Sequence, residues 1–314
     1  MLKRVIQGVA GRGGINRLSI FIYHRVLPAP DPLFPAEVDA KQFDAQVAWI
    51  TRWFTVLPLA DAVQRLQQGS LPPGSAAITF DDGYADNLQH AEPVLRRHGT
   101  SATLFVATGF LDGGCMWNDR VIEAVRRTRQ TELDLPGLLP TPLPVTDLAQ
   151  RRATIKQLIG RIKYLPMAAR DMAVADVLRA AAVAVPDDLM LTSDALRRWH
   201  AAGQQVGAHT VNHPILAQLA DDAARDEIAR GRHALQALLD TRIGLFAYPN
   251  GRPGSDYLPV HVDMVRVLGF DAAVSTSWGA ASVRSPIHEL PRFTPWDRSR
   301  LRFGARVVQN LLSA

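Results

Sequence analysis

A single cysteine, Cys115, stands in a chain of 314 residues, so no internal disulfide can form. No apolar run approaches the roughly 20 residues that a membrane-spanning helix needs. The opening stretch, MLKRVIQGVAGRGGINRLSIFIYHRV, has only a short, interrupted apolar segment, unlike the core of a secretory leader, and the expectation is a cytoplasmic protein. Glycines occur between Val5 and Gly14, but no strand pattern precedes them and no Gly-Lys-Ser/Thr follows, which excludes a phosphate-cradling loop. The Gly-x-Ser-x-Gly elbow of serine hydrolases is missing too. Aromatic residues make up 7% of the chain and do not alternate with basic ones, so nucleic acid is not an expected partner.

What is present is ordinary globular composition, 47% hydrophobic and 21% charged, with a net charge of +5 spread along the chain. Length alone suits one large barrel or two domains. Lys3, Arg4, Arg12 and Arg17 among Leu2, Val5, Ile6 and Val9 would suit a short amphipathic segment in peripheral contact with a membrane; a frayed tail is the plainer expectation. Nothing in the pattern bears on oligomeric state.

The informative stretch is Ala76 to Tyr84, AAITFDDGY, which follows the turn residues Leu71 to Ser75 and reads as a buried strand. It ends in two adjacent carboxylates, Asp81 and Asp82. Like charges this close raise one another's pKa and are costly to desolvate, so something must neutralise them. A second stretch supplies partners for a cation: His209 and His213, spaced i, i+4, stand on one side of a helical turn or tight loop. Two imidazoles and a carboxylate form an open divalent site of the kind catalytic zinc uses, leaving the other carboxylate free as a base. Spacing does not decide which aspartate takes which role. Taken singly, paired acids are usually solvated surface and a histidine is usually a hydrogen-bonded filler; the two segments together outweigh that reading.

Thr79-Phe80-Asp81-Asp82-Gly83-Tyr84 and His209-Thr210-Val211-Asn212-His213 resemble the first two motifs of the polysaccharide deacetylases of carbohydrate esterase family 4. The resemblance implies that Asp81 is the general base and that Asp82, His209 and His213 hold a divalent ion, zinc or else cobalt, nickel or manganese. It implies a hydrolase acting on the C–N bond of a linear amide, the N-acetyl group of a sugar. The implied fold is α/β, a distorted (β/α) barrel of about seven strands. Leu245 to Gly251 resembles the third motif, in which Tyr248 and Pro249, with Asn250 after them, build one wall of the substrate groove. The arginine that many members carry before that proline is missing here, and Arg292, in Leu290-Pro291-Arg292-Phe293, is the candidate substitute that would hold Asp81 ionised. His288 is the nearest counterpart of the family's histidine acid, although its surroundings do not match the motif. The backbone N–H of Tyr84 is a second candidate donor to the oxyanion.

The rest of the chain alternates strand and helix patterns, which implies a parallel sheet. Leu18 to Tyr23 reads as the first strand and runs into His24, a candidate site residue because strand C-termini face the active site in such barrels. Helices are expected from Asp39 to Trp53, Leu59 to Gln68 and Tyr84 to His98. The alternation breaks between Leu111 and Asp194, expected as a helical insertion (111–194) within one domain spanning 1–314. Three functions fit: N-deacetylation of an amino sugar in a cell-surface or exopolysaccharide or its lipid-linked precursor; removal of a formyl or O-acetyl group; or a barrel that only binds glycan.

Overall fold

The computed structural model of the chain describes residues 2–11 and 16–313; Arg12 lies outside them. In chain order the elements are α1 (Leu2–Ala10), β1 (Leu18–Tyr23), α2 (Ala40–Trp53), β2 (Thr55–Val56), α3 (Leu59–Gln67), β3 (Ser75–Phe80), α4 (Glu92–Arg97), β4 (Thr103–Val106), α5 (Trp117–Arg127), β5 (Glu132–Leu133) and β6 (Leu143–Pro144). There follow α6 (Leu148–Ile162), α7 (Met167–Ala181), α8 (Ser193–Ala201), β7 (Gln205–Ala208), α9 (Asp221–Leu239), β8 (Leu245–Ala247), α10 (Pro259–Val267), β9 (Ala272–Val274) and α11 (Arg300–Leu312). Strands β1, β3, β4, β7, β8 and β9 are neighbours in that order, with β2 beside β3, and every pair is parallel.

The sheet curls into a distorted barrel. Leu290 bridges Val274 of β9 and Phe293 bridges Phe21 of β1, both in parallel sense, so residues 290–293 stand where an eighth strand would close the ring. Phe293 N donates to Ile20 O at 2.7 Å, and Ile22 N donates to Phe293 O at 3.0 Å.

Side chains alternate across each strand, and the two faces meet different cores. One face carries Leu18, Ile20, Ala77, Phe105, Leu245 and Ala272, which pack with Leu59, Ala62, Val63 and Leu66 of α3. Helix α3 thereby plugs the end of the barrel where strands begin, and Ala60 N donates to the Gln205 side chain at the start of β7. The other face, with Phe21, Phe80, Leu104 and Phe246, packs against the outer helices.

Local signals explain most boundaries. Asp39 caps α2 by accepting from the N–H groups of Lys41 and Gln42 at 2.9 and 3.0 Å, an arrangement that contributes about 1 kcal/mol. The helix expected from Tyr84 to His98 is present from Ala85 to Arg97, with a π turn over Asn87–Ala91 ahead of α4. Pro93 has no N–H to give and its ring crowds the preceding turn, which accounts for the widening there. The opening residues are not a frayed tail: they form α1, whose Ile6 and Ala10 are buried in the outer core beside α2 and α11.

Between β4 and β7, helices α5, α6 and α7 enclose a separate apolar core that includes Val121, Val125, Leu158, Val174 and Val177. The Pro- and Leu-rich stretch within it forms the antiparallel β5–β6 hairpin, which turns Leu133 and Leu143 into that core. The loop after β1 is tied on by Leu33 and by an ion pair from Arg126 to Asp31 at 2.7 Å. No helix among the described residues is long and apolar enough to cross a membrane.

Candidate active site

Strand β3 ends at Phe80 and delivers Asp81 and Asp82, both buried, to the end of the barrel opposite α3. Asp82 sits at φ +75° and Gly83 at φ +95°, so the backbone turns sharply there. A Cβ on Gly83 would meet Val106 of β4 at 3.2 Å, so both conformation and space call for glycine. His209 follows β7 directly, and the loop reaching His213 passes through Thr210 at φ +66° and His213 at φ +50°. Such left-handed residues cost on the order of 1–3 kcal/mol each and persist where surrounding contacts hold them. One such contact is His213 N donating to Thr210 Oγ1 at 3.1 Å; another is Glu227 of α9, which accepts from the N–H groups of Val211 and Asn212 at 3.0 and 2.8 Å.

The two aspartates are neutralised differently. Arg292 donates to Asp81 through both guanidinium ends, 2.7 Å to each carboxylate oxygen, and its Nε donates to Ser275 O at 2.9 Å. Burial alone would raise the Asp81 pKa; the Arg292 charge and hydrogen bonds, with the nearby His209 and His24, together outweigh it and hold the group below the usual carboxylate range. Arg292 comes from the closing segment. Because Leu290 faces the barrel interior, strand alternation turns Arg292 inward as well, and only from the interior can it reach β3.

Asp82 has no such partner. Its Oδ1 lies 3.5 Å from His209 Nε2 and 3.4 Å from His213 Nε2, yet it is buried and makes no hydrogen bond. The ligand atoms of Asp82, His209 and His213 all lie within 4.8 Å of one another. His209 Nδ1 donates to Ala247 O at 2.7 Å, which fixes the tautomer and leaves Nε2 as an acceptor facing Asp82. Left to protons alone the trio is conflicted. Burial opposes charge on both imidazoles, and it pushes His213 down to about 3, whereas Asp82 and Asp81 draw His209 upward. An unpaired buried carboxylate oxygen facing two imidazole nitrogens fits a divalent cation.

These groups line a cavity of about 250 Å³ together with His24, Trp117, Asn118, Lys163, Asn250 and Thr276. His24 stands exposed at its mouth. An adjoining cavity of about 280 Å³ shares His24, Asp82 and Asn118 and is also lined by Arg25, Tyr84 and Asp119. The Tyr84 hydroxyl donates to Asp119 Oδ2 at 2.9 Å, and burial pushes the Asp119 carboxyl up to about 7. The Tyr84 backbone is bridged to Met190 through Ala85 N–H and the Gly83 carbonyl, a pairing that does not use the Tyr84 N–H.

Three expected residues are not brought to this cavity. His288 precedes Leu290, and because the closing segment runs parallel to β9, residues before Leu290 lie toward the strand's start; His288 Nε2 is bonded to Phe270 O at 3.1 Å. Tyr248 shares the outer face with Phe246, lies buried with its ring stacked on Tyr257 at 3.8 Å, and donates its hydroxyl to His288 O at 3.0 Å. Pro249 is buried with it, and of the expected wall only Asn250 lines the cavity. Conversely, Trp117 and Lys163 come from the 111–194 stretch, where no motif marks them. The available signal was positional: a long connection leaving a strand's C-terminal end in a (β/α) barrel overhangs the site.

The family model described as "Polysaccharide deacetylase" matches residues 68–136 and 143–272. YxkH of Bacillus subtilis (strain 168), which carries the polysaccharide deacetylase name, is 35% identical over 92 residues, 29% of this chain; the match spans 32% of YxkH, about a third of that relative's length. Among solved structures, the Streptococcus pyogenes deacetylase PplD in complex with acetate superposes with a TM-score of 0.61 at 20% identity, covering 89% of this chain and 92% of that one. IcaB from Ammonifex degensii gives 0.59 at 18% identity, covering 94% and 97%. A de-N-acetylase from Aggregatibacter actinomycetemcomitans gives 0.61 at 14% identity, covering 95% and 100%. At these identities the likeness concerns the fold.

Proposed function

The chain belongs to the polysaccharide deacetylase family, and from that premise we propose that it removes N-acetyl groups from an amino sugar of a cell-surface or exopolysaccharide, or of its lipid-linked precursor. The observation that carries this reading is the division of labour between neighbours: Asp81 clamped by Arg292, and Asp82 unpaired before His209 and His213. Asp82, His209 and His213 would hold a divalent ion, zinc in the first place. Such an ion lowers the pKa of a bound water and polarises an acyl oxygen.

The chain's own groups do the rest. Asp81, ionised and oriented by the guanidinium, accepts the proton of the attacking water. The Tyr84 N–H points a donor at the acyl oxygen as it gains charge. His24, at the mouth of the cavity, protonates the departing amine in the place first expected of His288. Trp117 offers an aromatic face for the sugar ring. The products are acetate and a free amino sugar; acetate is also the molecule named in the complex of the Streptococcus pyogenes relative.

Metal analysis of the purified protein, with amine and acetate release measured on N-acetylglucosamine oligomers and on lipid-linked sugars, tests the reading. It is supported by stoichiometric metal and by equal amounts of amine and acetate. Acetate without amine would indicate an ester substrate, formate a formyl one, and neither product from a metal-loaded chain would leave a binding barrel.

A further inference from the structure

Helix α11 buries Phe303, Val307 and Leu311 on the barrel, yet it carries a second apolar stripe on its outer side. Leu301, Ala305 and Leu312 recur at i, i+4 and i+11, the spacing of one helical face, with the half-buried Val308 at its edge against the core. Leu301 is 83% exposed and Leu312 55%; Trp296, just ahead of the helix, is 51% exposed. Helix α1 packs beside α11 and adds the exposed Val5.

The charge around this face has one sign. Residues 298–313 contain Arg298, Arg300, Arg302 and Arg306 and no Asp or Glu, and α1 contains Lys3 and Arg4 and likewise no acid. Arg306 pairs with Asp297, whereas among the described residues Arg300, Arg302, Lys3 and Arg4 form no ion pair. Arg300 lies over the Trp53 ring at 5.9 Å, and an apolar stripe beside cations with no carboxylate partner suits an anionic phospholipid surface, where the apolar side chains enter the acyl boundary and the arginines meet phosphates. A second copy of the chain fits poorly, because a twofold contact would set arginine against arginine with no carboxylate between them.

We propose that the outer face of α11, with α1 beside it, is a docking surface for an anionic phospholipid bilayer. Only the start of α11 lies toward the site: Arg298 donates to the carbonyls of Pro35 and Glu37, and Glu37 lines the cavity next to Asp82, whereas Gln7 of α1 lies against Gly74, just ahead of β3. The surface stands apart from the deacetylation reading, since vesicle binding is measured without substrate.

The test is co-sedimentation of the full chain with vesicles of phosphatidylcholine alone and of phosphatidylcholine mixed with phosphatidylglycerol, at low and high salt. The expected result is binding to the mixed vesicles only, weakened by salt. Leu301→Asp combined with Arg302→Glu should lower the bound fraction by about tenfold or more while acetate release from a soluble oligomer is unchanged. The milder Arg300→Ser/Arg302→Ser pair, with an unaltered thermal transition, guards against misfolding and should weaken binding in the same direction. The proposal is overturned if the native chain ignores the mixed vesicles, if both variants bind as it does, or if light scattering shows a dimer that these substitutions dissolve.

Discussion

Where the strands begin, the barrel is filled by Leu18, Ile20, Ala77 and Leu245 and sealed by α3. Where they end, one or two residues further along, β3 and β7 present Asp81, Asp82 and His209, all buried. The sealed end asks only for apolar volume, and many side chains would supply it. The open end holds two carboxylates at close quarters: Asp81 has a guanidinium from the closing segment, and Asp82 stands unpaired before two imidazoles, where the proposed function puts a divalent ion. One end can be degraded gradually; the other should fail outright.

The largest expected effect follows from removing a ligand. His213→Ala should lower amine release by about a thousandfold with little loss of stability, measured as kcat beside a denaturation curve, because function at this end depends on charge placement. An active His213→Ala enzyme would dissolve the contrast between the ends.

Next comes Arg292→Met, which strands a buried carboxylate. It should cost about 3–5 kcal/mol in urea unfolding as well as most of the activity, and Asp81→Asn/Arg292→Met should recover part of the stability but none of the activity. At the sealed end, Leu245→Ala should cost about 2–5 kcal/mol while kcat of the folded enzyme stays within about twofold of the native value. A catalytic defect there would mean that the two ends are coupled through the barrel core.

The smallest effect is a slope. Asp119, beneath Tyr84 in the adjoining cavity, has its carboxyl pushed up to about 7 by burial. Between the unfolded value and the folded one the native state binds the extra proton, so this group's contribution to stability falls as pH rises from about 4 to about 7 and is flat beyond. Asp119→Asn should flatten that part of the stability profile, read from urea midpoints across the range.

Much of the open end was legible because its chemistry is local in sequence. Asp81 and Asp82 close an apolar run, and His209 and His213 sit one turn apart after another, so strand-end placement and the family resemblance converged on them. Arg292 was reachable by asking what could neutralise Asp81. What escaped depends on direction and facing. His288 and Arg292 are four residues apart, yet the parallel course of the closing segment carries one toward the start of β9 and the other to the site. Tyr248 matches a groove-wall motif, but strand alternation pairs it with Phe246 and stacks it on Tyr257. Trp117 and Lys163 line the cavity from helices whose own apolar patterns speak only of the core they enclose. Periodicity says that a helix exists, not which foreign wall its first turn will form.

The claim that neighbouring aspartates answer to different cations is tested most directly by counting metal ions per chain in Asp81→Asn and Asp82→Asn. One divalent ion should remain in the first and none in the second, with amine release absent from both. Full metal occupancy in Asp82→Asn, or its loss in Asp81→Asn alone, would contradict the assignment.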